Sequence, residues 1–243
     1  MFETAVRDGV TRLRRAGTRW LSTGFDGGET VANAAYNVTV PEEWEWTDLT
    51  AYVAERRRDA GFGPEASDAD DVSGPALLTG VSQRHARVAE HGSVSAVATV
   101  GVSNPAPLDP SDADGSDADT SDERPRPGTV NVFVGTERSL GSGALANLVA
   151  VAAEAKATVL LRETEFPGTT SDAVVAACDP DGDRARFSGS ATAVGASARA
   201  CVRDAVRASL ASRYSDEQVP DTVDGARYGV APVAETDVEV FEP

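Results

Sequence analysis

Apolar and polar positions along the chain change their period several times, and each change marks an element. Residues 18–40, TRWLSTGFDGGETVANAAYNVTV, read as two strands around a turn, because Asp26-Gly27-Gly28 reaches positive φ at little steric cost. PEEWEWTDLTAYVAERRRDAGFG then predicts a helix near 47–60, with Thr47 as its N-cap and Gly61 as its stop. A polar loop, PEASDADDVSG, leads to a strand at 76–81, a polar joint, and a strand at 93–102. Residues 106–127 are almost all Asp, Ser, Pro, Gly and Ala. They bury too little apolar surface to fix their backbone and read as a disordered acidic insertion. Strand-like sequence flanks that run on both sides, so it is a loop within a domain.

The next stretch, 128–160, is GTVNVFVGTERSLGSGALANLVAVAAEAKATVL. TVNVFVG is a strand. RSLGSG is a turn in which Ser142 or Ser139 caps a helix of about 143–157, with Leu145, Leu148, Ala152 and Ala155 on one face. ATVLL is either a further strand or an extension of that helix. PGTTSDAVVAACDPDGDRARFSGSAT predicts a turn, a buried strand, a Pro-Asp-Gly hairpin and a second strand. A closing helix follows, with Ala200, Val202, Val206 and Leu210 on its apolar side. Strands in hairpins with long helices between them, without βαβα alternation, predict an α+β fold. Helices are layered on a largely antiparallel or mixed sheet in a single domain spanning 1–215, and 216–243 is an acidic C-terminal tail.

Composition narrows the function classes. The chain has 243 residues, 41% of them apolar, enough for a real core. Net charge is −17, and all basic residues but Lys156 are arginine. Acidic excess with near-absent lysine fits a proteome adapted to high salt, where carboxylates keep the surface hydrated. The charge argues against nucleic acid, whose phosphates attract a basic face, and against anionic membranes. No uninterrupted apolar run approaches the ~18 residues of a membrane span, and MFETAVRDGVTRLRRAG lacks the apolar segment of a secretory signal. A cytoplasmic chain, complete from Met1, is expected. Cys178 and Cys201 form no C-x-x-C pair and lie far from His85 and His91 in sequence, so no metal site is expected. Both read as reduced core residues, a catalytic thiol being the other reading.

Four polar clusters stand where a simple core would not have them: Asn33 and Asn37; Ser103 and Asn104; Thr129 and Asn131; and Thr169, Thr170, Ser171 and Asp172. Side chains alternate on a strand, so Thr129, Asn131 and Phe133 share a face. Asn131 then faces solvent, caps a loop or lines a polar cleft with Thr129. PGTTSD also reads as ordinary turn chemistry. No phosphate-binding loop, calcium loop or Ser-His-Asp set is assembled. In a chain that otherwise uses arginine, Lys156 reads either as a position needing a compact, titratable ammonium or as a leftover surface lysine. Glu154, two residues earlier on the same helix, does not face it.

Taken in order, WLSTGFDGG, AAYNVTVP, LLTGVSQ, VATVGVSNP, PGTVNVFVGT, LGSGALANLVAVAAEAKATVL, PGTTSDAVVAACDPDG and SGSATAVGASARACVRDAV resemble the adenosylcobinamide amidohydrolases (CbiZ) over roughly residues 18–210. The resemblance implies hydrolysis of the amide joining aminopropanol to the corrin ring of adenosylcobinamide. The product is adenosylcobyric acid, which re-enters coenzyme B12 synthesis. The corrinoid is substrate, so no cofactor is implied; a homo-oligomer is left open. A non-catalytic corrinoid-binding module and an acyltransferase are the alternatives. TVNVFVGTERSLGSGALANLV followed by GTTSDAVVAA is also similar in layout to the nucleophile region of the ornithine acetyltransferases and DmpA-type aminopeptidases. That likeness puts Thr129 at the nucleophile's place. It departs at Glu137-Arg138, where those families prefer Asp-Ala, and self-cleavage before Thr129 is not implied. The candidate catalytic residues are Thr129, Asp172, Lys156 and Glu154. The candidate substrate-binding residues are Asn33, Asn37, Ser103, Asn104, Asn131, Thr169, Thr170 and Ser171.

Overall fold

The computed structural model describes residues 2–41, 48–63, 74–108, 128–220, 222–223, 225–227 and 239–242. A long hairpin opens the chain. Strand β1 (Glu3–Arg7) pairs antiparallel with β2 (Val10–Ser22), which turns at Asp26-Gly27-Gly28 into β3 (Gly28–Thr39). The predicted strand at the start of 18–40 therefore begins earlier, at Val10, and β1 precedes it. Helix α1 (Leu49–Asp59) ends at Gly61, whose φ is +69°, as expected of a stop. Its cap is Asp48, whose carboxylate accepts from Ala51 N; Thr47 lies outside the described residues.

Strand β4 (Ala76–Thr79) runs parallel to β3. The stretch read as a polar joint holds a short 3-10 turn (Gln83–His85) and an edge strand, β5 (Arg87–His91), antiparallel to β6 (Val94–Val100). Residues 109–127 of the expected insertion lie outside the described residues. Strand β7 (Val130–Thr136) and the two-residue β8 (Ser139–Leu140) lead into helix α2 (Ser142–Thr164), which takes in ATVLL. The helix cap is Gly141, without a side-chain bond. Ser139 is held in β8, and Ser142 Oγ instead accepts from Arg19 Nη2 at 2.7 Å, so neither serine caps.

After β9 (Ala173–Cys178) the Pro-Asp-Gly turn does not fold back into a hairpin. The next strand, β10 (Arg184–Ala185), pairs parallel with β8, leaving both edges of β9 to β2 and β7. Helix α3 (Ala193–Arg213) is capped by Thr192 Oγ1, which accepts from Gly195 N. Ala198 and Cys201 are buried on its inner side with Val202, Val206 and Leu210, whereas Ala200 is half-buried.

The main sheet is mixed, in the order β4-β3-β2-β9-β7-β6-β5 with β1 beside β2, as the α+β expectation requires. Alternation on β7 divides the interior. Val130, Val132 and Val134 face a core shared with α2 and α3, while Phe133 faces a second core with Trp20, Leu13, Leu77 and Val175. Helix α2 is apolar and long enough, by composition alone, to cross a membrane, but its buried residues, Leu145 through Thr164, pack inside this layered core.

Candidate active site

Strands β7 and β9 are parallel neighbours, with Asn131 opposite Ala173, so both begin at the same edge of the sheet. The residues just before them, Gly128-Thr129 and Thr169-Asp172, therefore meet. A third segment joins them: Pro105 bridges Thr169, Ala106 N donates to Gly168 O at 3.0 Å, and Thr170 N donates to Asn104 O at 3.3 Å. Helix α2 brings Lys156 from the helix layer.

The Asp172 carboxylate organises this edge. It accepts from Val130 N (3.0 Å) and Thr169 N (3.1 Å), from Thr169 Oγ1 (2.5 Å), and from Lys156 Nζ in a short ion pair. A carboxylate accepting from four donors is anchored in position. The ammonium brings three N–H groups, and Asp172 is its one hydrogen-bond partner among the described residues. Gly168 makes the pair fit, since a Cβ there would overlap both Asp172 Oδ2 and Lys156 Nζ.

Beside it lies a chain of hydroxyls. Thr129 Oγ1 is 2.8 Å from Ser171 Oγ, and Ser171 Oγ donates to Gly128 O at 3.1 Å. Either hydroxyl of the pair can donate to the other; when Ser171 gives its proton to the carbonyl, Thr129 is the donor and its oxygen keeps its lone pairs for another atom. Thr129 is buried and Ser171 exposed, so the chain runs from the interior to the surface. Gly128, at φ +141°, packs against Asn104, whose Nδ2 donates to Thr170 Oγ1 at 2.7 Å. Asn104 Oδ1 is buried without a partner among the described residues.

Seven of the expected residues thus converge: Thr129, Asp172, Lys156, Asn104, Thr169, Thr170 and Ser171. Ser103 borders an adjoining cleft. Asn131 sits below the cluster on the Phe133 face, closed off from solvent. Its Nδ2 donates to Asn37 Oδ1 (2.8 Å) and Leu78 O (3.0 Å), and Asn37 in turn donates to Thr99 Oγ1 at 2.9 Å. Gln83 completes this buried network: its Oε1 accepts from Thr11 Oγ1 at 2.7 Å. Nothing in the polar segment SQRH marks Gln83 as an interior residue. Glu154 points away, exposed and paired with Arg199 Nη1 at 2.5 Å, and Asn33 is spent on the β2 bulge, where it accepts from Gly17 N.

Neither cysteine is placed to react. Burial pushes the Cys201 thiol up to about 11, and burial likewise raises Cys178, so both stay protonated as core residues. The two imidazoles are engaged elsewhere, His85 with Ser212 and His91 with Ser197, each at 3.0 Å.

The end of these central strands gathers a hydroxyl, a held ammonium and a neighbouring cleft, groups that enzymes of acyl hydrolysis can use. The model of one protein family, described as adenosylcobinamide amidohydrolase, matches residues 3–218. An adenosylcobinamide amidohydrolase of Halobacterium salinarum is 54% identical over 247 aligned residues, covering all of both chains. One of Methanosarcina mazei is 27% identical over 203 residues, covering 79% of this chain and 90% of its own. Among solved structures, the PH0078 protein of Pyrococcus horikoshii aligns over 86% of this chain and 78% of its own at 12% identity, with a TM-score of 0.41. The chain belongs to the adenosylcobinamide amidohydrolase family.

Proposed function

We propose that the chain hydrolyses the amide between aminopropanol and the corrin ring of adenosylcobinamide, with Thr129 as nucleophile. Family membership supports the reaction. The observation that supports the residue is the Thr129–Ser171–Gly128 hydroxyl chain, in which Ser171 can hold the threonine hydroxyl with its oxygen turned free to attack.

In acylation Thr129 Oγ1 bonds to the amide carbon while its proton is relayed through the Ser171 hydroxyl to the amide nitrogen, Ser171 giving up one proton as it takes the other. The oxyanion develops against the positive charge of Lys156, held in place by Asp172. The C–N bond breaks, and the amine carrying the relayed proton leaves as aminopropanol. Water then attacks the ester, restores the Thr129 hydroxyl and releases adenosylcobyric acid. The corrinoid is the substrate throughout and no cofactor enters. Glu154 takes no part, and Asp172 positions Lys156 instead of serving as base.

The test is Thr129→Val and Thr129→Ser, assayed for aminopropanol release and for adenosylcobyric acid by mass. Removing the hydroxyl lowers kcat by about 1000-fold, and serine retains a measurable fraction. Full activity in Thr129→Val overturns the assignment. Binding of adenosylcobinamide without turnover by the wild-type chain replaces the hydrolase reading with that of a binding module.

A further inference from the structure

A cleft of about 400 Å³ ends against the backbone of Gly128, one residue from the proposed nucleophile. Gly101, Ser103 and Gly128 line it from the sheet, and Tyr214, Glu217 and Gln218, with the cations Arg213 and Arg227, line it from the end of α3 and the segment after it. Tyr214 fixes the junction, its hydroxyl accepting from Val102 N at 3.0 Å. The later segment is tied to the body of the protein, with Val223 buried and Val219 packed against the helix-side core.

We propose that this cleft is the leaving-group subsite, taking the aminopropanol arm of the substrate, and that Glu217 and Gln218 decide which arm is accepted. The inference rests on the proposed reaction at Thr129. A scissile amide has two sides. The macrocycle, with its ring of peripheral side chains, is too bulky for a space of this size, which suits a short arm. The arm carries a hydroxyl, a donor and an acceptor together, and the Gln218 amide offers both complements. After cleavage the arm is an ammonium ion. Glu217 Oε2 is bound by Arg213 Nη1 at 2.9 Å, while Oε1 has no partner among the described residues. A carboxylate oxygen is thus available to the hydroxyl before the reaction and to the cation after it. In a substrate whose other end is a large macrocycle, a polar cleft at the cut amide is the place where the enzyme reads the arm itself.

The experiment compares wild type, Glu217→Gln and Gln218→Trp on adenosylcobinamide and on an analogue whose arm is aminoethanol, one methyl shorter. Gln218→Trp fills the cleft: KM for adenosylcobinamide rises about tenfold, kcat stays within about twofold, and the preference between the two arms shifts about tenfold. Glu217→Gln shifts KM in the same direction and relieves product inhibition by 1-amino-2-propanol. KM values and arm preference unchanged in both variants overturn the proposal. Titrating the full chain with 1-amino-2-propanol while following the Gln218 side-chain amide by NMR decides the matter without turnover. A saturable shift that Glu217→Gln abolishes supports the subsite, and no shift overturns it. Wild type that releases no aminopropanol from adenosylcobinamide sinks the reaction, and the titration still reports on the cleft.

Discussion

Lys156 and Asp172 form an ion pair almost out of water, their side chains 11% and 12% exposed. Removing one partner strands the other charge, so Lys156→Met is expected to lower stability by about 3 kcal/mol. The double variant Lys156→Met/Asp172→Leu regains only part of it, because Val130 N and Thr169 N also lose their acceptor. Denaturant titrations in concentrated salt measure both.

The same pair accounts for the one lysine of the chain. Gly168 lies against the ammonium, where a Cβ would come within 2.8 Å of Nζ, so a larger, planar guanidinium would have to shift its surroundings. Lys156→Arg is expected to lose at least about 100-fold in kcat although the charge is kept. Gly168→Ala behaves alike. Steady-state kinetics on folded variants, checked by circular dichroism, give the answer.

Glu154 provides the contrast. It is exposed and paired with Arg199 across the helix surface. Glu154→Gln leaves activity within about twofold and stability within about 1 kcal/mol. A large drop in kcat would return Glu154 to the catalytic set.

Asn131 belongs to the interior. Asn131→Leu leaves the Asn37 carbonyl unpaired and is expected to cost about 1–3 kcal/mol, read as a lower Tm, with KM unchanged. A raised KM at unchanged Tm would instead put Asn131 in contact with substrate.

Acid sensitivity has a named source in His85. Burial, followed by the charges of Arg84, Arg213 and Arg87, holds its imidazole below its ordinary value of 6.5. Between 6.5 and that lower value the unfolded chain binds a proton that the folded chain refuses, so stability is full above 6.5 and declines as pH falls through the window. Tm is expected to fall on acidification from 6.5, and less steeply in His85→Asn. Parallel slopes in the two proteins would remove the assignment.

The buried elements were legible because their pattern is strong: β6 and β9 are mostly Val and Ala, β7 sets Val130, Val132 and Val134 at alternate positions, and α2 repeats its apolar face over more than five turns. The missed strands lie at sheet edges or are very short. RVAEH of β5 is paired on one side only, and its Arg, Glu and His are pattern-neutral. The β8–β10 pairing depends on contacts between distant residues that no local turn signal encodes. At the site, Lys156 stood out by composition and Thr129 by its position where a strand begins. The orientation of Glu154, the burial of Asn131 and the role of Gln83 depended on which segments the sheet stacks together, and local sequence is silent on that.

Parallel pairing of β7 with β9 has an evolutionary corollary. The reacting groups are indexed by strand register: a slip of one residue would exchange Asp172 for Ser171 opposite Val130 and turn every side chain of the strand inside out. The acidic run of residues 109–127, between β6 and β7 in the chain, contributes none of the reacting groups and carries no such constraint. It is free to lengthen, shorten or gain charge as a lineage adapts to brine.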